Sequence, residues 1–265
     1  MKFPKTLPET HKVLLSTIVD SFSQDTRIEG IGVSGSYASD SMDKYSDLDL
    51  VIAISPTHFE EVMSSRFELI NKIEGKVAAF TGEHVGEPRL IIALFKPHAI
   101  HVDFKFVSLP DAAVRVDDTK VIWDRSGLLT KVFDNSTHQY PQPSPQWIED
   151  RFWVWTHYAA TKIARGEYFE TVEFLSFLRS VVLSPLALQQ NGLTPSGVRK
   201  IEQRLPEFSQ HLKETVVPPE KDALINALQC CISLYLKLRE NEIDVDVQLE
   251  AQHLALHYVD QELMK

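Results

Sequence analysis

The sequence predicts an α/β (α+β) domain built on a mixed sheet, followed by an all-α helical-bundle domain. Three observations predict this. Strand-like apolar runs are confined to the first half, a polar stretch with three prolines spans residues 134–145, and helical periodicity fills the rest from Trp147. The boundaries that follow are 1–134 for the first domain, 135–146 for a linker and 147–265 for the helical domain.

The elements can be read in order. Residues 8–23 carry Pro8 early and apolar side chains at Val13, Leu14, Ile18 and Val19, the spacing of an amphipathic helix. Residues 28–33 form a short strand that runs into Ser34-Gly35-Ser36 and a polar, turn-rich stretch. Residues 47–54 alternate and then turn wholly apolar, as a central strand does. A helix is expected over 56–76, strands over 89–95 and 100–109, and a short strand over 121–124 that Arg125-Ser126-Gly127 turns out of. Pro141, Pro143 and Pro145 give the break the chemistry of a linker. Beyond it, turns are expected at Gly192, Pro195, Pro206 and Pro218-Pro219.

Composition narrows the class. The chain has 265 residues, 43% hydrophobic and 24% charged, which are the proportions of a soluble globular protein. Its net charge of −10 repels a polyphosphate backbone, and Lys and Arg are scattered, so a nucleic-acid partner is not expected. Cys230 and Cys231 are adjacent and have no other partner, so no disulfide framework is expected and the chain reads as cytoplasmic. Residues 13–19 are the one apolar stretch near the N-terminus. Lys12 and Asp20 bracket it, which marks the buried stripe of a helix and not a signal peptide or membrane span.

The chemistry concentrates in one constellation. Gly35-Ser36 is followed, eleven residues beyond Ser36, by Asp47-Leu48-Asp49, and Asp103 lies in a later strand as Val102-Asp103-Phe104. Residues two apart on a strand share a face, so Asp47 and Asp49 project together, as do His101, Asp103 and Lys105. If these strands are neighbours, three carboxylates meet. Such a cluster repels itself unless a cation lies within it, and carboxylate oxygens are the ligands that hard Mg²⁺ takes in phosphoryl transfer. Gly35 lets backbone approach a phosphate, and Ser36 adds an N–H and a hydroxyl for the β- and γ-phosphates.

These residues resemble a known family. Gly35-Ser36, Asp47-Leu48-Asp49 and Asp103 look like the pattern of the polymerase-beta-type nucleotidyltransferase superfamily. The longer run Gly35-Ser36-Tyr37-Ala38 with Ser46-Asp47-Leu48-Asp49-Leu50 is similar to the bacterial antibiotic nucleotidyltransferases, which act on aminoglycosides or lincosamides. Trp123-Asp124-Arg125-Ser126-Gly127 at the end of the first domain, with helices after it, fits the same order. The motif likeness covers residues 28–130; the helical half matches in general character only. The resemblance implies that Asp47 and Asp49 bind Mg²⁺, and that Asp103 binds metal or activates an acceptor hydroxyl. It also implies a cleft between the two domains as the active site, and an NTP as co-substrate, with ATP the default. The expected reaction moves a nucleoside monophosphate to a hydroxyl of a small molecule, with resistance to an antibiotic as one possible role. Ser39-Asp40 depart from the basic residue or glycine that many relatives carry there.

Other readings compete. Gly30-Ile31-Gly32-Val33-Ser34-Gly35 is formally the dinucleotide fingerprint G-x-G-x-x-G. A polar stretch precedes it and the next strand follows within about a dozen residues, too soon for the crossover helix that motif needs. Two further functions stay open: a regulatory or antitoxin-like protein acting on a protein partner, and extension of tRNA or another polynucleotide.

In the helical half, Arg151, Trp155, Tyr158, Lys162 and Arg165 share one arc at helical spacing, and Lys162 is the candidate to reach a triphosphate. A solvated face with snorkelling stems is the plainer account of that arc. Glu170 and Glu173 suit a helix start as well as a cationic acceptor. His253 and His257 with Glu250 fit helix packing better than zinc, and Trp147, Phe152, Trp153, Trp155, Phe174 and Phe177 fit a core. The helical half is also where a homodimer would form.

Overall fold

The computed structural model describes residues 3–264. It falls into two compact units, 1–139 and 140–265. The first unit is α/β with a mixed sheet and the second is helical, in agreement with the predicted class.

The first unit begins with α1 (Glu9–Ser23), whose buried stripe is His11, Leu14, Leu15, Ile18, Val19 and Phe22. Then come β1 (Ile28–Ser34), the single turn α2 (Gly35–Ala38), β2 (Leu48–Ile54) and α3 (Phe59–Asn71). Strands β3 (Lys76–Gly82), β4 (Glu87–Phe95), β5 (Ile100–Ser108) and β6 (Thr119–Asp124) follow, and α4 (Leu128–Asp134) closes the unit. The sheet order is β3-β4-β5-β2-β1-β6. Among the described residues only the β2–β5 pair is parallel; the other pairs are antiparallel.

One face of this sheet makes the main core. Ile100, Val102, Phe104 and Phe106 alternate along β5 and are buried with Leu48, Leu50 and Ile52 of β2. Phe22 of α1 lies 5.8 Å from the Phe104 ring and 6.2 Å from Phe106. Each side chain of this size contributes roughly 1.5–3 kcal/mol by burial. The opposite face is covered in part by Leu129 and Phe133 of α4. Gly30 and Gly32 make that possible: a Cβ at Gly30 would come 2.7 Å from Leu129 Cδ2, and one at Gly32 would come 2.7 Å from Thr119 Cγ2. The first two glycines of the G-x-G-x-x-G string therefore serve packing, not phosphate.

Several predicted bounds differ by a residue or more, two of them near the site or the sheet edge. The helix expected over 56–76 is a 3₁₀ turn at Pro56–His58 followed by α3, and residue 76 begins β3 instead. Gly75 at φ +89° lies in the turn between α3 and β3, a conformation that favours glycine. The second strand begins at Leu48, one residue after Asp47.

The second unit contains α5 (Pro145–Arg165), α6 (Tyr168–Phe177), a π-helical turn at Leu178–Leu183 and α7 (Ser184–Gln190). The short α8 (Ile201–Arg204) and α9 (Pro206–Lys213) precede α10 (Lys221–Arg239) and α11 (Leu249–Leu263). The first of these is capped at both ends. Ser144 Oγ accepts from Trp147 N at 3.2 Å, Pro145 takes the first helical position, and Gly166 at φ +78° ends it. The run Tyr168–Gln190 has the length and hydropathy of a membrane span, yet 56% of its most apolar window is buried inside the protein. That marks a core element. Of the predicted aromatic core, Phe152 and Trp153 are fully buried, with Phe152 stacked 3.7 Å from Tyr235. Trp155, Phe174 and Phe177 pack against the core's edge, and Trp147 is one-third exposed.

Candidate active site

The parallel pairing of β2 with β5 sets Asp49 directly beside Asp103. Register partners on neighbouring strands point to the same side of a sheet, about 4.8 Å apart across the ladder. The flanking residues Leu48, Leu50, Val102 and Phe104 go to the main core, so alternation leaves the two carboxylates on the opposite face. Asp47 lies one residue ahead of β2, and its charge is felt at Asp103.

Gly35 completes the corner. It opens α2 at φ +62°, and a Cβ there would lie 2.5 Å from Asp49 Oδ2. The glycine thus lets the turn sit directly against the Asp49 carboxylate. Next to it, Ser36 Oγ is buried with no hydrogen-bond partner among the described residues. A buried hydroxyl without a partner is uncommon, and at such a corner it suits a ligand's acceptor oxygen.

Electrostatics distinguish Asp103. Burial raises its carboxyl above the ordinary range, the neighbouring Asp47 adds to that, and the hydrogen bond with His101 opposes it. His101 Nε2 lies 2.7 Å from Asp103 Oδ1. Lys105, the next residue on this face, is 3.2 Å from Glu87. Glu87 is itself drawn down to about 2, chiefly by its bonds from Arg89, with Lys105 helping. On the other side of Asp103 the strands present apolar side chains. Ile92 pairs with Asp103 and with Phe80, and Leu94 pairs with His101. Phe80 and Leu94 are 52% and 41% exposed.

The sequence-predicted residues divide accordingly. Gly35, Ser36, Asp47, Asp49 and Asp103 converge on one corner of the first unit. Lys162 lies on α5 of the second unit, where its ammonium is 2.6 Å from Glu167 and 3.0 Å from Glu170. Tyr158 also donates to Glu170, so this arc has an ion-pair network of its own. Glu173 is near enough to Arg179 to act on its charge.

The donor set suits a hard divalent cation, since it offers carboxylate oxygens on adjacent backbones. Among the described residues, however, no group of three or more His, Cys, Asp or Glu side chains is gathered as a ready metal cage. The bond from His101 to Asp103 Oδ1 occupies one of the oxygens such a cage would use. Sequence reasoning missed two features. One is the apolar strip of Phe80, Ile92 and Leu94, hidden because no strand is expected over residues 77–88, where most of β3 lies. The other is His11 on α1, 2% exposed, with Nε2 2.8 Å from the Ser46 carbonyl. Its only signal is a polar side chain in phase with the apolar stripe of α1.

The model of the nucleotidyltransferase domain family matches residues 15–103, a span that starts in α1, contains Gly35, Ser36, Asp47 and Asp49, and ends at Asp103. No curated protein matches the chain. Among solved structures, a nucleotidyltransferase-like protein from Exiguobacterium sibiricum is similar at 15% identity and TM-score 0.37, over 95% of this chain and 80% of that one. The STING-associated CdnE c-di-GMP synthase from Capnocytophaga granulosa is similar at 13% identity and TM-score 0.32, over 88% and 80%. The CCA-adding enzyme of Thermotoga maritima is similar at 9% identity and TM-score 0.29, over 98% and 93%. Residues 15–103 therefore carry a nucleotidyltransferase domain, and the chain is an enzyme of the nucleotidyltransferase class.

Proposed function

We propose that this enzyme transfers a nucleoside monophosphate from an NTP, ATP by default, to a hydroxyl group of a small molecule, and releases pyrophosphate. The pairing of Asp49 with Asp103 across parallel strands, with Gly35 pressed against Asp49, is the observation that carries this reading. In it Asp47 and Asp49 hold Mg²⁺. Bound there, the ion supplies charge neutralisation for the triphosphate and the reacting oxygens. The Ser36 hydroxyl and backbone N–H donate to the β- and γ-phosphates. Asp103 completes the metal site or accepts the proton of the acceptor hydroxyl; its raised proton affinity suits the second role. The hydroxyl oxygen then bonds to the α-phosphorus in line as the bond to the bridging oxygen breaks. Positioning and electrostatics supply the acceleration.

For the acceptor we favour an antibiotic of the aminoglycoside or lincosamide kind. The apolar strip of Ile92, Leu94 and Phe80 next to Asp103 favours a molecule with an apolar face, which places lincosamides first. A chain with a net charge of −10 and two free cysteines fits a cytoplasmic enzyme.

The test is a pyrophosphate-release screen with Mg²⁺ and each NTP, with and without aminoglycosides and lincosamides. Release with ATP and a lincosamide, lost in Asp47→Asn, is the expected result. Release only with a protein substrate, or only with a polynucleotide, would replace the small-molecule reading.

A further inference from the structure

Residues 39–47 connect α2 to β2, and so link the glycine turn to the first carboxylate. This connection is fastened from outside by the start of the chain. Asp40 Oδ1 accepts from Thr6 N at 3.2 Å and from Thr6 Oγ1 at 2.8 Å. Thr6 Oγ1 in turn accepts from Met42 N at 3.2 Å. At the far end, His11 Nε2 donates to the Ser46 carbonyl at 2.8 Å. That oxygen can only accept, so Nε2 carries the proton. Nδ1 lies 3.2 Å from the Thr10 hydroxyl, which satisfies the other ring nitrogen.

The first of these fastenings falls at a sharp turn of the loop. Asp40 has φ +51°, in the left-handed region that asparagine and aspartate tolerate best after glycine. Between the two ends, Met42 is buried in the main core and Asp43 closes a local turn through Tyr45 N at 2.8 Å. The bond to Ser46 matters most for chemistry. Its carbonyl belongs to the peptide plane that leads into Asp47, and a peptide plane is rigid. Holding that oxygen fixes how the plane is rotated, and hence the direction in which the Asp47 side chain leaves the backbone. A leucine at position 11 could fill the same buried space but would leave the carbonyl without a partner.

We propose that His11, assisted by Thr6, is a positioning residue for the catalytic corner: it holds Asp47 in register with Asp49 and Asp103 before nucleotide and metal arrive. The proposal rests on the reading of Asp47 as a metal ligand. His11 would act through the backbone of Ser46 and touch neither metal nor nucleotide.

The test is a calorimetric titration of Mg²⁺ with α,β-methylene-ATP, a non-hydrolysable analogue, on folded protein whose melting temperature is recorded in parallel. His11→Leu is expected to weaken Mg²⁺-dependent binding by about 10-fold or more, as loss of outer support to a metal ligand does. His11→Gln, whose amide donates from nearly the place of Nε2, should recover most of it. Thr6→Val should show a smaller loss in the same direction, with Thr6→Ser close to wild type; if His11→Leu does not fold, this pair and His11→Gln carry the test. Binding by folded His11→Leu within about twofold of wild type would overturn the proposal. So would His11→Gln remaining as weak as His11→Leu at equal stability. Asp47→Asn separates the two layers. If it binds Mg²⁺ and analogue as wild type does, the metal reading of Asp47 fails; if it loses binding while His11→Leu keeps it, only the positioning role fails.

Discussion

Glu149 in the helical unit and Asp103 in the sheet are both acidic groups drawn out of water, and their surroundings act on them in opposite ways. Glu149 is 1% exposed and accepts from Trp153 Nε1, Gln248 N and Arg239 Nη1 at 3.0–3.1 Å, and from the Tyr235 hydroxyl. Burial alone would raise its carboxyl, but these donors outweigh burial and hold it below the ordinary range. Asp103, by contrast, sits beside Asp49 with Asp47 adding its charge, and burial wins over the His101 bond. A carboxylate that serves the fold is saturated with donors. Carboxylates in like-charged company stand at a cost in stability that a cation would offset.

The largest effect expected to sharpen this contrast is at Glu149. Glu149→Ala leaves the Arg239 charge without its buried partner and should cost roughly 3–5 kcal/mol in urea denaturation. The pH dependence has a definite sign. Because the folded-state affinity for protons is lowered, the stabilisation from Glu149 is present above the usual glutamate range and fades as pH falls through the lower folded value. The gap between wild type and Glu149→Gln should therefore narrow in acid.

Next is Gly35→Ala. At φ +62°, with Asp49 Oδ2 2.5 Å from the new methyl, it should cost about 1–2 kcal/mol in backbone strain. Nucleotide transfer should fall further than that loss accounts for, since the methyl displaces the Asp49 carboxylate. Full activity in a stable Gly35→Ala protein would break the assignment of this corner.

Asp103→Asn should do the reverse of Glu149→Ala. A raised folded-state proton affinity means the carboxylate penalises the fold above that raised value, and the penalty disappears as pH falls. The amide should raise the melting temperature at neutral pH, lose this advantage near pH 4 or below (about the ordinary aspartate range), and abolish transfer. A lower melting temperature at pH 7 would put Asp103 in the same class as Glu149.

The smallest effect is expected at Lys162. Its ammonium is already matched by Glu167 and Glu170. Lys162→Met should leave KM for the nucleotide close to wild type; a large rise in KM would restore Lys162 as a phosphate ligand.

The residues of the candidate site were more legible in the sequence than the strand order around them. Gly35, Ser36, Asp47, Asp49 and Asp103 could be singled out because their chemistry is local, and β5 because its alternation is strict. Which strands are neighbours was not readable: the β2–β5 pairing joins segments some fifty residues apart, and no local pattern encodes it. Strand β3 escaped because Lys76-Val77-Ala78-Ala79-Phe80 lies at the sheet edge without regular alternation. The spacing of Gly30 and Gly32 looked like a nucleotide fingerprint, and the packing of α4 and of Thr119 in β6 against them explains it. His11 was invisible for a related reason: its partner is a backbone oxygen, which no side-chain pattern reports.

The central claim is that the sheet carboxylates hold a divalent cation together with a nucleotide. Mn²⁺ is a paramagnetic stand-in for Mg²⁺, and its binding can be followed by electron paramagnetic resonance in the presence of α,β-methylene-ATP. The account predicts that wild type binds Mn²⁺, that Mg²⁺ displaces it, and that Asp47→Asn and Asp49→Asn lose it without a fall in melting temperature. Equal Mn²⁺ binding by wild type and both variants, or none by wild type, would contradict it.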